Sequence, residues 1–151
     1  RMVMMVVKTI TDLERIGDEA AKIARMAKLI HQSERISMPR FSEVKYMADM
    51  VLDMLRKALD AFARLDATKT VEIARQDQQV DEEFRLNLRH LITYMMEDPR
   101  TISVFIDILF VTKAIERMGD HAKNMSEYVV YMVKGKDVRH TSLEEIEKEV
   151  M

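Results

Sequence analysis

The sequence contains no cysteine, no tryptophan, and only 3 glycines and 2 prolines among its 151 residues. The lack of cysteine excludes disulfide bonds and thiolate metal sites, and it is compatible with a reducing cytoplasm. Because glycine and proline are scarce, the chain has few positions at which a helix must stop. We therefore predict an all-α fold of long helices joined by short turns.

The sequence also lacks an excess of positive charge and a long apolar run. Its 24 basic and 26 acidic residues give a net charge of −2, so we expect no nucleic-acid binding driven by phosphate neutralisation. No apolar run approaches the roughly 20 residues that a membrane-spanning helix needs, so we expect no membrane span. The hydrophobic share of 48% is nevertheless large enough for a globular core.

Apolar residues recur with helical spacing in four long segments and in one short one. The segments cover about residues 3–30, 37–65, 66–96, 98–134 and 142–150. We expect Asp66 to cap the third helix and Gly135 to stop the fourth. Ser142 opens the last segment, which is predicted to be a charged tail helix with frayed ends.

A short acidic motif occurs twice, first as Glu14-Arg15-Ile16-Gly17-Asp18 and again as Glu116-Arg117-Met118-Gly119-Asp120. The spacing places the two carboxylates of each copy on one helix face, where they can share a cation. Both the repulsion between carboxylates and the glycine inside a helix are locally unfavourable, so their repetition indicates a site. The alternative is a solvated charged face with salt bridges between helices.

The surroundings of the second motif make the pattern more specific. The stretch 114–124, Ala-Ile-Glu-Arg-Met-Gly-Asp-His-Ala-Lys-Asn, resembles the signature helix of the PhoU family of phosphate-signalling regulators. The stretches 60–66, 77–81, 93–98 and 133–137 resemble the same family in the same order. The resemblance covers about residues 1–140, and it implies an all-helical protein built of two similar three-helix bundles.

In that family each acidic motif lies on the last helix of its bundle, but here no helix precedes the first motif. The resemblance thus implies a PhoU-like helical bundle that lacks its first two helices. Residues 1–36 would be the last helix of a truncated first bundle, 37–137 a complete second bundle, and 138–151 a tail. The missing helices would leave five apolar side chains exposed, and we therefore expect a homodimer or higher homo-oligomer. These side chains are Val3, Val6, Ile10, Leu13 and Ile16.

The resemblance also implies that the third helix lies beside the fourth. An acidic pair on the third helix, Asp77 and Asp81, would then converge with Glu116, Asp120 and Asn124 into one cluster. Oxygen ligands of this kind suit Mg, Mn, Ca or Fe, so we expect divalent or iron cations as cofactors.

The first motif is expected to be the poorer cation site. Its carboxylates are Glu14 and Asp18, and Lys22 occupies the position that matches Asn124. His121 is a further candidate ligand, although a lone helix histidine is more often a surface residue.

As a functional expectation, the resemblance implies a cytoplasmic, non-enzymatic negative regulator of phosphate uptake and of the phosphate regulon. Its partners would be the ATPase subunit of the phosphate transporter and a sensor histidine kinase. One alternative is a metal-dependent enzyme in a helical bundle, although the Glu-x-x-His pattern of di-iron bundles is missing. Another alternative is a structural oligomerisation module whose acidic motifs bind nothing.

Overall fold

The computed structural model describes residues 1–32 and 42–151, and within these ranges every regular element is a helix. The helices are α1 (Met2–Gln32), α2 (Ser42–Arg64), α3 (Lys69–Glu97), α4 (Ile102–Lys134) and α5 (Leu143–Val150). The predicted all-α fold of four long helices and one short helix is confirmed. The predicted start of the second helix, at 37–39, lies outside the described residues. None of the described helices combines the length and apolar character needed to cross a membrane.

α4 is the central helix, because α1, α2 and α3 each pack along it. α2 and α3 also pack against each other, and the short connection at 65–68 makes them antiparallel neighbours. Methionines fill much of the shared core, and Met47, Met54 and Met125 are fully buried there. Their flexible side chains suit the irregular space between three helices. The division of the chain at 36 and 137 into parts of two bundles stays a prediction.

α1 packs on α4 through a face that contains polar residues. Its buried side chains are Met5, Thr9, Asp12, Ile16 and Ile30. Of the side chains expected to be exposed, Val3 and Ile10 are 78% and 58% exposed. The expectation was wrong for Ile16, which is buried in the core with α2, α3 and α4. Ile16 is buried because the face of α1 that carries it packs against α4 and is thereby removed from solvent.

The helix ends follow the sequence signals with one exception. Asp66 does not cap α3, since its carboxylate accepts hydrogen bonds from the Thr68 amide at 3.0 Å and from the Thr68 hydroxyl at 2.6 Å. That turn delays the start of the helix to Lys69. Gly135 ends α4 as predicted, with a φ of +75° in the left-handed region that glycine adopts readily.

α5 is part of the packed structure. The Ser142 hydroxyl accepts a hydrogen bond from the Glu145 amide at 3.2 Å, which confirms the predicted helix start. The helix is charged as predicted, but the prediction that it would be frayed was wrong, because Ile146 and Val150 are buried together with Val71 of α3. The two apolar residues lie one helical turn apart, so the short helix has one face that can be buried.

Candidate cation site

Three of the predicted ligands come together between α3 and α4. Oxygen atoms from the carboxylates of Asp77, Asp81 and Asp120 all lie within 4.8 Å of one another. Asp77 and Asp81 are one turn apart on α3, and Asp120 faces them from α4. Within residues 1–32 and 42–151 this is the one group of three or more such side chains with metal-ligand spacing.

Gly119 allows α4 to approach its neighbour closely beside this group. A β-carbon at this position would lie 3.3 Å from the Cγ2 atom of Val51 on α2. A β-carbon added at Gly17, the matching glycine of the first motif, would have no neighbouring atom within 4 Å. The two glycines therefore have different surroundings, although the two motifs read alike in the sequence.

The surroundings of the three carboxylates disfavour their charged forms and raise their pKa values. Burial raises the pKa of Asp77, and the nearby charge of Asp81 adds to the effect. Burial and the charge of Glu116 raise the pKa of Asp81. The pKa of Asp120 rises to about 7 because part of its carboxylate is buried and because the charges of Asp77 and Glu116 are close. Other atoms of Asp120 remain open to solvent. Added positive charge would relieve all of these penalties.

Asp77 also offers a free ligand atom. The residue is 7% exposed overall, and its Oδ1 atom is buried without a hydrogen-bond partner. Buried polar atoms without partners are uncommon in folded proteins, because leaving one unsatisfied costs about 1–3 kcal/mol. A cation bound among the carboxylates would supply the missing interaction.

Two lysines neutralise part of the charge. The Nζ atom of Lys123 lies 3.8 Å from Oδ2 of Asp77 and 3.7 Å from Oε1 of Glu127. The Nζ atom of Lys113 lies 2.8 Å from Oε2 of Glu116. Glu127, which sequence reasoning did not single out, is buried on α4, and its pKa rises to about 7, chiefly because of that burial. Lys123 is therefore shared between two acids.

The remaining residues of the predicted cluster occupy different positions. Glu116 faces the group, since its charge contributes to the raised pKa of Asp77, Asp81 and Asp120. Asn124 lies on the side of α4 that faces α1, where its amide donates a hydrogen bond to Oδ1 of Asp12 at 3.3 Å. The structure therefore does not bring Asn124 to the three carboxylates.

Asp12, which the sequence did not single out, joins α1 to α4. Its carboxylate is buried, and Nδ1 of His121 lies 2.7 Å from its Oδ1 atom. A hydrogen bond to Asp12 also contributes, after burial, to a pKa of about 12 for Tyr128. The partners His121, Asn124 and Tyr128 line one side of α4, so His121 helps to hold α1 in place.

The two carboxylates of the first motif lie on the exposed side of α1. Glu14 and Asp18 are both exposed, and neither belongs to the three-carboxylate group. Asp18 lines a cleft of about 500 Å³ between α1 and α4, which it shares with Asp120 and His121. The two motifs thus face the same cleft through their last aspartates.

Comparison with known proteins places these observations in a family. The model of the PhoU domain matches residues 44–129. A protein of Pseudomonas putida described as a phosphate-specific transport system accessory protein PhoU homolog is 48% identical, over 99% of this chain and 58% of its own length. The Escherichia coli accessory protein PhoU is 43% identical, over 98% of this chain and 61% of its own length.

A solved structure shows the same similarity in three dimensions. The crystal structure of PhoU from Pseudomonas aeruginosa matches with a TM-score of 0.86 and 45% identity, over 90% of this chain and 65% of that chain. The chain spans about three fifths of the length of the relatives it matches. These alignments use 98–99% of the chain, and they do not by themselves bear out the expectation that two helices are missing from its start.

Proposed function

Because the chain belongs to the PhoU family, we propose that it regulates phosphate uptake and binds cations at Asp77, Asp81 and Asp120. The names of its relatives, which describe accessory proteins of a phosphate-specific transport system, support the regulatory role. The observation that carries the cation site is the approach of the three carboxylates to within 4.8 Å. The buried Oδ1 atom of Asp77 supports the same conclusion, since it has no hydrogen-bond partner.

In this proposal the protein is a cytoplasmic, non-enzymatic negative regulator. It would contact the ATPase subunit of the phosphate transporter and a sensor histidine kinase, and it would hold the phosphate regulon off when phosphate is abundant. An accessory role of this kind requires surfaces whose shape and charge depend on a signal. The boundary between α3 and α4 is such a surface, because its carboxylates change charge when they bind a proton or a cation.

The cation would act by neutralising repulsion between the helices. Without it, Lys123 compensates part of the charge of Asp77 and Asp81, and Lys113 compensates part of the charge of Asp120. A hard cation such as Mg²⁺ or Mn²⁺ would take its oxygen ligands from these three residues, with Glu116 near enough to contribute charge. The bound state would hold α3 and α4 together more firmly and present a less negative surface. Glu14 and Asp18 would bind a cation more weakly, because they are exposed and separate from this group.

We further propose that the protein forms a homodimer through α1. The outer face of this helix exposes Val3, Val7 and Ile10, which are 78%, 55% and 58% exposed. Burying such side chains stabilises an assembly by about 1.5–3 kcal/mol each.

A reporter of a phosphate-starvation gene tests the regulatory role in cells that lack their own regulator. With abundant phosphate, the wild-type protein should lower the reporter signal, and the double variant Asp81→Asn with Asp120→Asn should not. Protein abundance should be unchanged, because the variant removes carboxylates that repel one another. Asp49→Asn, at an exposed position on α2, is the matched control and should repress like wild type. Full repression by the double variant would contradict a role for the cation site in regulation.

A further inference from the structure

A second cleft between α1 and α4 lies farther along α1 than the acidic motif and has the opposite charge. It encloses about 400 Å³, and its lining includes Lys22, Arg25, Lys113, Arg117, Met26 and Phe110. Among the residues that the structure describes, no acidic side chain lines it, although the chain as a whole carries a net charge of −2. We call this feature the basic cleft.

Of the four cations of the basic cleft, Lys22, Arg25 and Arg117 have only loose ion pairs or none. Lys22 and Arg117 both approach Glu19, but the shortest distances are 3.7 Å and 3.9 Å, beyond hydrogen-bonding range. Consistent with this, the buried Oε2 atom of Glu19 lacks a hydrogen-bond partner. Arg25 is exposed, and no carboxylate lies within ion-pair distance of it in residues 1–32 and 42–151. A single carboxylate therefore serves two cations, and a third cation has none.

Lys113 makes a smaller contribution to the charge of the cleft. Its Nζ atom is paired with Glu116 at 2.8 Å and lies 5.1 Å from the centre of the Phe84 ring on α3. The ammonium group therefore points toward α3, and mainly the stem of the side chain lines the basic cleft. The groups available to an anion are those of Lys22, Arg25 and Arg117.

An apolar surface adjoins these cations. Phe110 of α4 is 52% exposed, and Met26 of α1 is half-buried beside it. Large aromatic side chains are costly to leave in water, and an exposed ring beside cations can stack on a flat ligand that also carries negative charge. The combination selects for a molecule with two chemically different ends.

We propose that the basic cleft binds a small phosphorylated molecule with an aromatic body, of the nucleoside monophosphate class. The phosphate would pair with Lys22, Arg25 and Arg117, and the base would pack on Phe110 and Met26. Guanidinium groups suit phosphate oxygens because they donate two parallel hydrogen bonds. The volume of about 400 Å³ lies in the range of small-molecule sites. This site shares no ligand with the three carboxylates and does not depend on them.

Titration calorimetry with adenosine 5′-monophosphate (AMP) tests the proposal on the whole chain. AMP should bind with one molecule per chain, and its affinity should fall as salt is added, because exposed charges are screened. Adenosine and inorganic phosphate, used separately, should each bind at least about tenfold more weakly, because each lacks one of the two contacts. No heat of binding with AMP, or phosphate binding as tightly as AMP, would overturn the proposal.

Variants at exposed positions show whether AMP occupies this cleft. Arg25→Gln should weaken AMP binding about tenfold, since it removes a charged donor. Phe110→Leu should weaken it about fivefold, since it keeps an apolar side chain but removes the stacking ring. Lys45→Gln, at an exposed position on α2, is the control and should bind like wild type. Equal affinity in all these variants, with unchanged melting temperatures, would place the ligand elsewhere and overturn the proposal.

Discussion

Replacing Asp120 with asparagine should remove a large part of the pH dependence of stability in the cation-free protein. The pKa of Asp120 is raised from 3.8 to about 7 in the folded state, mainly by burial and then by Asp77 and Glu116. The folded state therefore binds the proton more tightly than the unfolded chain does. The stability contributed by this proton is fully present below about pH 4 and is lost as the pH rises to about 7. Asparagine keeps the size of the side chain and never acquires the charge.

The magnitude follows from the raised pKa and from the exposure of the residue. A rise from 3.8 to about 7 corresponds to at most about 4 kcal/mol, at about 1.4 kcal/mol per pH unit. Because Asp120 is partly open to solvent, screening should reduce this to about 1–2 kcal/mol. At pH 8 the variant should therefore unfold about 2–8 °C above wild type, given about 2–4 °C per kcal/mol for a domain of this size.

Urea unfolding at pH 5 and pH 8, with a chelator present, measures the effect. Wild type should lose stability between the two values, and Asp120→Asn should lose clearly less. A smaller loss should remain in the variant, because burial also raises the pKa of Glu127 to about 7. Asp49→Asn on α2 is the control and should follow wild type. Equal pH dependence in wild type and Asp120→Asn would refute the electrostatic description of the three carboxylates.

Three further predictions test the packing. Gly17→Ala should raise the free energy of unfolding by about 0.5–1 kcal/mol in urea, since the position is an open helix interior. Gly119→Ala should forfeit that gain, because its new β-carbon would lie 3.3 Å from Val51. Equal effects of the two substitutions would contradict the packing. Gly135→Ala should cost about 1–2 kcal/mol in the same assay, because its φ of +75° disfavours a β-carbon, and an unchanged stability would show that the turn can relax. Ile10→Glu should lower the molar mass in light scattering from that of a dimer to that of a monomer without unfolding the chain, and a monomeric wild type would contradict the proposed homodimer.

The sequence predicted the helices well because their signals are local. Scarce glycine and proline, a proline after Asp98 and a glycine after Lys134 mark where helices begin and end. The convergence of Asp77 and Asp81 with Asp120 needed the additional knowledge of which helices are neighbours, and the family resemblance supplied it. The position of Asn124 was predicted wrongly because it follows Asp120 by four residues, which rotate the side chain about 40° beyond a full turn around the helix axis. That rotation carries Asn124 toward α1 and Asp12.

The inner face of α1 could not be found from apolar spacing. Thr9 is buried there because its hydroxyl donates a hydrogen bond to the Met5 carbonyl of the same helix. Asp12 is buried because its polar partners come from α4, more than 100 positions away in the chain. A count of apolar residues treats such positions as exposed. The burial of Glu127 escaped prediction for the same reason, since its partner Lys123 and its covering residues are defined only by the packed fold.

The central claim is that the three carboxylates between α3 and α4 bind a cation, and a manganese titration of chelator-treated protein tests it most directly. The measured quantity is the rise in melting temperature that Mn²⁺ causes in each protein. At about 100 times the dissociation constant, binding should stabilise wild type by about 2.7 kcal/mol, or roughly 5–11 °C. Asp49→Asn should show the same rise, and Asp120→Asn should show little or none. An equal rise in all three proteins, or no rise in wild type, would contradict the claim.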